Sequence, residues 1–389
     1  MIKQICSNCH IVVLVFLMGA FCMLTAGCGS DAMKTVGQID NLGPPGQVGS
    51  IAHEIQGVDG WINSKPFTLE SLRGKVVLMD FWTYTCVNCI RTLPYLKQWH
   101  DKYADEGLVI VGVHSPEFQF EHVRANVEAA VEEFGIEWVV IQDNNLETWR
   151  AFANRFWPAK YLIDKNGVIR YTHFGEGSYD ETEMEIRQWL WDAGSDLEGI
   201  EANEKPNPVR NKQAESRDSA TMQTRELFAG LRFNLNVQTP YIIQSEMYGS
   251  SSAIPIFFQD PGNHLNHFLY LHGMWLSEND NIKHARATKD LEDYLALKFF
   301  GTSANAVLAF DEIPYKVYVT IDNGSIPLVD RGVDIEEDED SRTYITVDAN
   351  RMYNIIDSPE YSGHEMRLSS NSSEFSIFSF TFGSYGKGP

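Results

Sequence analysis

The chain has 389 residues, of which 43% are hydrophobic, and a formal net charge of −22. This length suggests two or three domains with sizeable cores. The excess of carboxylates argues against a nucleic-acid partner, because phosphate backbones are bound by basic surfaces. It also argues against attachment to anionic lipid by charge alone.

Residues 1–27 have the features of an export signal. Lys3 precedes an apolar run from Ile11 to Leu24, and small residues then lead to Cys28. This order is typical of a secretory signal peptide. Small residues directly before a cysteine resemble a bacterial lipobox, which implies that Cys28 carries lipid. An ordinary cleaved signal and an uncleaved anchor remain alternatives, although the run is short for a span of about 20 residues. All three place the remaining chain outside the cytoplasm, on the periplasmic or envelope side.

The cysteines are not distributed as in a disulfide-stabilised secreted protein. Beyond the predicted signal, the chain keeps Cys28 and the close pair Cys86 and Cys89. Cysteines that stabilise a fold are spread through it, whereas a single close pair is expected when the cysteines react. The sequence therefore predicts a redox-active disulfide.

Composition divides the exported part into four segments. Residues 28–56 are rich in Gly and Pro and indicate a flexible tether. Residues 57–194 alternate apolar β-branched runs with helical periodicity, which predicts a sheet covered by helices on both faces. Residues 195–222 are charged and contain prolines, as in a linker. Residues 223–389 show several short alternating strands, which predicts an antiparallel β-sandwich.

The predicted elements follow one another in a regular order. In residues 57–194 they are strand 76–82, helix 93–103, strand 108–113, helix 123–134, strand 138–141, helix 146–155, a hairpin of 160–163 and 168–171, and helix 181–191. In residues 223–389 the predicted strands are 231–237, 268–275, 306–310, 315–321, 342–347 and 375–382, and 290–299 is predicted as either a helix or a strand.

The cysteine pair lies between the buried strand 76–82 and the helix that follows. A thiol at a helix N-terminus meets free backbone N–H groups and the positive end of the helix dipole, which favour the thiolate. We therefore predict that Cys86 is the nucleophile. Cys89 lies one helical turn further in, and we predict that it resolves the mixed disulfide.

The residues around the pair resemble a known family. The stretch Asp80-Phe81-Trp82-Thr83-Tyr84-Thr85-Cys86-Val87-Asn88-Cys89 resembles the active-site region of the thioredoxin superfamily. With Ile90-Arg91-Thr92-Leu93-Pro94, and with residues 112–118 and 157–164, it resembles the DipZ branch of the TlpA-like proteins. The resemblance covers roughly residues 51–194 and, more loosely, the C-terminal region. It implies an α/β thioredoxin-like fold followed by an all-β sandwich that resembles jelly-roll carbohydrate-binding modules.

The resemblance also implies roles for further residues. Asp80 takes the place of a buried carboxylate beneath the second cysteine, where it would relay the proton of Cys89. Trp157 and Pro158 take the place of the cis-proline site that holds an extended substrate. Many TlpA-like proteins have Glu three residues after the second cysteine, where this chain has Thr92. We therefore expect Asp80 to act without a second buried acid.

Other ligands and chemistries have weaker support in the sequence. Zinc needs about four ligands, and the exported part has no second cysteine pair. Peroxidases of the same fold resemble P-x-x-x-T-x-x-C, but Met79 stands in the proline position. We expect no metal and no cofactor besides the disulfide. The alternatives left open are a metal site at His264, His267 and His272 and a calcium site at the acidic run 334–340.

A glycan ligand is a further possibility for the C-terminal region. Trp275, Tyr248 and Tyr270 offer rings that stack on sugars, although such rings usually pack in the core. This prediction rests almost entirely on the resemblance to carbohydrate-binding modules.

Together these features predict an envelope thiol–disulfide oxidoreductase that exchanges disulfides in exported, cysteine-containing proteins. The resemblance favours reduction, with cytochrome c maturation as one setting. DipZ proteins begin with a membrane-embedded electron-transfer domain, whereas this chain begins with a signal, so we expect a membrane thiol transporter acting in trans. The alternative is an envelope-tethered glycan- or protein-binding module in which the thioredoxin-like domain is secondary.

Overall fold

A computed structural model of the protein describes residues 44–202, 214, 218, 221–235 and 237–385. The predicted signal, Cys28, the first part of the tether and most of the linker lie outside the described residues. Within the described residues, no helix has the length and apolar character needed to cross a membrane.

The N-terminal domain is a six-stranded mixed sheet with helices on both faces. Its strands are β1 (Gly60–Ile62), β2 (Val76–Trp82), β3 (Leu108–His114), β4 (Val139–Gln142), β5 (Ala159–Ile163) and β6 (Ile169–Phe174). Its helices are α1 (Val87–Tyr103), α2 (Arg124–Glu133), α3 (Glu147–Ala151) and α4 (Tyr179–Ala193). The strand order is β1-β4-β3-β2-β5-β6, with β2, β3 and β4 parallel and the other pairings antiparallel. The predicted α/β thioredoxin-like fold is confirmed.

The central strand β2 determines which side chains face the cysteine helix. All seven of its residues are buried, and alternate side chains of a strand point to opposite faces. Val76, Leu78 and Trp82 belong to the core that also contains Cys89 and residues of α1, α2 and α4. The apolar residues between them belong to the opposite core, with α3. Asp80 has the spacing of the first set, so it lies on the face covered by α1.

The domain begins earlier than composition indicates. Ile51 forms a bridge with Val168, and the Ala52 N–H donates to the Gly167 carbonyl at 2.9 Å. Ala52 is also part of the core beneath α3. The last part of the predicted tether, from residue 49 onward, is therefore packed on the sheet, because its backbone pairs with the β5–β6 hairpin.

Strands are the main regular elements in the described part of the C-terminal domain. They are β7 (Leu227–Phe228), β8 (Ile256–Phe258), β9 (Leu269–Ser277), β10 (Ile282–His284), β11 (Tyr294–Ala309), β12 (Tyr315–Ile321), β13 (Glu336–Glu337), β14 (Thr343–Val347), β15 (Arg351–Ser369) and β16 (Ser376–Gly383), with one short helix, α5 (Leu231–Asn234). They form a ten-stranded sheet in the order β13-β14-β12-β15-β11-β16-β10-β9-β8, with β7 beside β16.

Two long strands connect the halves of this sheet. The first residues of β11 pair with β9 and its last residues pair with β16, while β15 follows β11 along its length. Register shifts beside Ser303 and Asn305 interrupt the β11–β15 ladder. The strands share one large apolar core. The predicted all-β character is confirmed. Of the region 290–299, residues 294–299 form the start of β11 and the first four residues belong to no strand or helix.

One predicted strand of the C-terminal domain is wrong. Residues 231–237 were expected to be extended because their apolar residues alternate, but the chain forms α5 there. Asn234 stabilises this turn, since its Nδ2 donates to the Phe228 and Gly230 carbonyls at 3.0 and 2.9 Å. Within α5, the Phe233 ring stacks on the Phe228 ring, with 4.2 Å between the ring centroids.

The two domains meet through an aromatic cluster. Phe118 and Phe120 of the N-terminal domain pack against Phe228 and Phe378 of the C-terminal domain. The Phe378 centroid lies 5.2 Å from that of Phe118 and 4.8 Å from that of Phe120. This contact brings the C-terminal domain beside the loop that follows β3.

Candidate active site

Cys86 and Cys89 differ in exposure and in their place on α1. Cys86 is the N-cap residue, with an extended backbone, and its Sγ accepts a hydrogen bond from the Cys89 N–H at 3.3 Å. It is partly exposed, whereas Cys89 is buried, and both are free thiols. Burial, together with the neighbouring Cys86, raises the pKa of Cys89 well above its ordinary value. The accessible sulfur is therefore the one that meets the positive end of the helix dipole.

Asp80 is paired with a buried lysine that the sequence analysis missed. Asp80 and Lys160 occupy opposite positions in the β2–β5 ladder, and Lys160 Nζ lies 3.5 Å from Asp80 Oδ1. Both residues are buried. Burial raises the pKa of Asp80, while the charge of Lys160 opposes that rise. The available signal was a lysine inside the otherwise apolar run of β5, because a buried charge requires a partner.

Glu121 is a second buried acid near the cysteine loop. Its Oε1 accepts hydrogen bonds from the Thr83 and Thr85 hydroxyls at 2.6 and 2.5 Å. Its Oε2 accepts from the Glu117 and Phe118 N–H groups at 2.5 and 2.9 Å. Burial raises its pKa, and these four donors oppose the rise. Glu121 comes from the loop after β3 rather than from α1, and its printed hydrogen bonds go to the cysteine loop and to its own loop. That Asp80 alone relays the Cys89 proton therefore stays a prediction.

Trp157 and Cys86 line the same cleft. The Trp157–Pro158 peptide bond is cis. The Trp157 ring is held by its Nε1, which donates to the Ser115 carbonyl at 2.9 Å. Pro158 itself is buried. Cys86 and Trp157 both line a cleft of about 640 Å³, so the fold brings together the predicted nucleophile and the predicted substrate-holding residue.

The histidines predicted as metal ligands have other partners. The two ring nitrogens of His264 lie 2.8 Å from Asp260 and 3.1 Å from Glu365. His267 contacts the Thr224 hydroxyl at 2.8 Å. Within the described ranges, no group of three or more His, Cys, Asp or Glu side chains is placed to hold a metal ion.

The acidic run 334–340 is engaged by arginines rather than left open for calcium. The ion pairs are Asp334 with Arg351, Glu337 with Arg331, and Asp338 with Arg342.

Burial removes most of the aromatic residues that were considered for sugar stacking. Trp275 and Tyr270 are 0% and 2% exposed, whereas Tyr248 is 61% exposed. Two of the three rings therefore belong to the core, and a glycan ligand stays a prediction based on the resemblance.

Comparison with known proteins agrees with this geometry. Residues 48–188 match the Redoxin family, and residues 243–383 match a family described as thioredoxin-like C-terminal domain. The thiol-disulfide oxidoreductase ResA of Geobacillus thermodenitrificans is 30% identical over 123 residues, which are 32% of this chain and 67% of ResA. This chain belongs to the thiol–disulfide oxidoreductases of the thioredoxin superfamily.

Two further relatives place this oxidoreductase within the superfamily. Protein DipZ of Mycobacterium bovis is 48% identical over 145 residues, which are 36% of this chain and 21% of DipZ. The thiol-disulfide oxidoreductase YkuV of Bacillus subtilis is 29% identical over 138 residues, 35% of this chain and 92% of YkuV. The chain thus spans about a fifth of the DipZ proteins that it matches. The predicted resemblance to the TlpA-like and DipZ proteins is confirmed.

Proposed function

We propose that this oxidoreductase exchanges disulfides in cysteine-containing proteins, with Cys86 as the nucleophile and Cys89 as the resolving thiol. The observation that carries the proposal is the asymmetry of the pair. Cys86 is partly exposed at the N-terminus of α1, while Cys89 is buried one turn further in. An exposed thiol at a helix N-terminus suits attack, and a shielded thiol suits resolution.

In the reducing direction the reaction has two exchange steps. The Cys86 thiolate attacks one sulfur of the substrate disulfide, which forms a mixed disulfide and releases the other substrate sulfur as a thiolate. Cys89 loses its proton and attacks the Cys86 sulfur, which releases the second substrate thiolate and leaves the Cys86–Cys89 disulfide. Both substrate thiolates take up protons, and two electrons pass from the cysteine pair to the substrate.

Asp80 is proposed to accept the Cys89 proton during the second step. It lies on the face of β2 that α1 covers, and its charge contributes to the raised pKa of Cys89. Because burial raises the pKa of Asp80 itself, its carboxylate is a better base than an exposed aspartate. The charge of Lys160 opposes that rise.

The setting of the reaction is part of the same proposal. We expect exported proteins as substrates, with cytochrome c maturation as one setting, and a membrane thiol transporter that returns electrons to the Cys86–Cys89 disulfide. Support comes from the signal-like N-terminus and from the family. Trp157 is proposed to hold the substrate backbone, and the support is that it lines the same cleft as Cys86 and precedes the cis Pro158.

A stoichiometric exchange experiment tests the proposal. The reduced protein is incubated with a linear peptide disulfide, and thiols are counted by mass spectrometry on both partners. One peptide disulfide should be reduced for each Cys86–Cys89 disulfide formed, and neither Cys86→Ser nor Cys89→Ser should complete the cycle. The redox equilibrium with glutathione then gives the direction. A potential near the about −270 mV of thioredoxin supports reduction, and one near the about −120 mV of a strong oxidant contradicts it.

A further inference from the structure

The cleft above Cys86 is lined by two domains. From the N-terminal domain come Cys86, Arg91 and Trp157, and from the C-terminal domain come the segment 222–226 and the end of β16 with Tyr385. The C-terminal domain therefore contributes directly to the surroundings of the reactive sulfur.

Contacts beside the active site fix the position of the C-terminal residues that line the cleft. The Gln119 N–H donates to Asp280 at 3.1 Å. Arg232 forms an ion pair with Asp280 at 2.7 Å and donates to the Glu117 carbonyl at 2.5 Å. Together with the aromatic cluster, these contacts hold the C-terminal domain against the loop after β3, and Glu121 connects that loop to Thr83 and Thr85 of the cysteine loop.

The end of β16 closes the cleft on the side of α1. The Tyr385 hydroxyl donates to Glu176 Oε1 at 2.5 Å, and its ring faces the Arg91 guanidinium, with 5.3 Å from Cζ to the ring centroid. Arg91 also reaches Ser303 at 3.4 Å. A Cβ on Gly383 would lie 2.2 Å from Ser303 Oγ and 2.5 Å from Arg91 Nη2, so the missing side chain at this position leaves room for both groups.

We propose that the C-terminal domain forms the second wall of a substrate groove, and that the groove admits an extended, unfolded polypeptide segment around a cysteine but obstructs disulfides on the surface of folded domains. This rests on the proposed disulfide exchange at Cys86. The cleft volume of about 640 Å³ is within the range of about 300–1,000 Å³ found for small-ligand pockets. That space suits a short extended segment, because an extended chain can lie about 4.8 Å from a neighbouring strand. The surface of a folded domain is too broad to enter the cleft.

Hydrogen exchange on a trapped complex tests the second wall. The full chain with Cys89→Ser is treated with a linear peptide whose only cysteine is a mixed disulfide with thionitrobenzoate. Cys86 displaces the coloured thiol and keeps the peptide. The matched control carries 2-mercaptoethanol in place of the peptide. We expect the peptide, and not the control, to slow amide exchange in residues 222–226 and 381–385 as well as around Trp157. Slowing confined to the N-terminal domain would overturn the proposal.

A pair of variants tests the selectivity. The same mixed disulfide is placed in the linear peptide and at a surface site of a small folded protein, and the release of thionitrobenzoate is timed. The wild-type chain should react severalfold faster with the linear peptide. Tyr385→Ala should reduce this preference by speeding the folded substrate, while Tyr385→Phe should retain it. Equal rates in the wild type, or an unchanged preference in Tyr385→Ala, would contradict the second wall. Failure to displace thionitrobenzoate from any substrate would instead remove the proposed exchange activity.

Discussion

Lys160 and Asp80 face each other across β5 and β2, with 3.5 Å between Nζ and Oδ1, in the buried interior of the N-terminal domain. The pair places a counter-charge beside the acid that is proposed to take the Cys89 proton. Because both groups are removed from water, removing either one would leave the other as an uncompensated buried charge. A substitution at Lys160 should therefore change the pKa of Asp80 without altering the cysteine pair itself.

Replacing Lys160 by Met should raise the pKa of Asp80 further, because the cation that lowers it is lost. Asp80 would then be protonated over a wider range of pH, and the resolving step should slow at neutral pH and recover as the pH rises. The rate of mixed-disulfide resolution between about pH 5 and 9 is the measurement, covering the range in which raised carboxyl pKa values act. Lys165→Met is the control, since Lys165 is partly exposed and pairs with Asp192. Identical pH profiles for both variants would contradict the coupling.

The raised pKa of Asp80 also fixes the direction in which folding stability changes with pH. The folded-state pKa of Asp80 lies above its ordinary value of 3.8, so the folded state binds the proton more tightly and ionisation costs stability as pH rises from 3.8 through the folded-state pKa. Loss of Lys160 raises the folded-state pKa of Asp80 further, so the pH range over which stability is lost extends to higher pH. Breaking a buried pair typically costs about 3–5 kcal/mol, and protonation of Asp80 should reduce that cost at acidic pH.

Changing Asp80 to Asn should slow the resolving step more than the first attack. Asp80 lies on the side of β2 that faces α1 and Cys89, where it can accept a proton. The thiolate of Cys86 is instead stabilised by the N-terminus of the helix. Stopped-flow measurement of both steps in one protein provides an internal comparison. Equal losses in the two steps, or no loss, would argue against Asp80 as the proton acceptor.

Changing Glu121 to Gln should loosen the cysteine loop. One carboxylate oxygen is replaced by an NH₂ group, which cannot accept the bonds that Thr83 and Thr85 or the loop N–H groups donate. We expect a loss of about 1–3 kcal/mol in unfolding free energy, as for a buried polar group left unpaired, and a slower first attack by Cys86. Glu128→Gln, at an exposed position of α2 paired with Arg124, is the matched control. If both variants behave alike, Glu121 does not position the loop.

The sequence was most informative where a short pattern had a physical cause. The apolar run of β2, the C-x-x-C at its end and the prediction of cis Trp157–Pro158 from the family all agree with the structure. Lys160 and Glu121 were missed because their partners come from distant parts of the chain. The long strand β15 was missed because it contains Pro359, Gly363 and many polar residues, and only part of its length faces the core. The contact of Tyr385 with Glu176 joins the end of the C-terminal domain to the loop between β6 and α4, and no local pattern indicates it.

The N-terminal prediction has its own measurement. Cys28 lies outside the described residues, and we expect processing before it, with lipid on its sulfur. Intact-mass analysis of the protein from membrane fractions should show a chain that begins at Cys28 with added acyl mass. The Cys28→Ser variant should lose the acyl mass and leave the membrane fraction. A soluble wild-type protein, or one that begins at another residue, would refute the lipoprotein prediction.

The central claim is the division of roles between Cys86 and Cys89, and covalent trapping tests it most directly. Envelope extracts from cells that produce Cys89→Ser or Cys86→Ser are separated on non-reducing gels, and the trapped partners are identified. The account predicts that Cys89→Ser accumulates mixed disulfides that disappear on reduction, because the nucleophile remains and the resolving thiol is gone. Cys86→Ser should trap none, because the remaining thiol is buried and its pKa is raised. Equal trapping by both variants, or trapping by Cys86→Ser alone, would contradict the assignment.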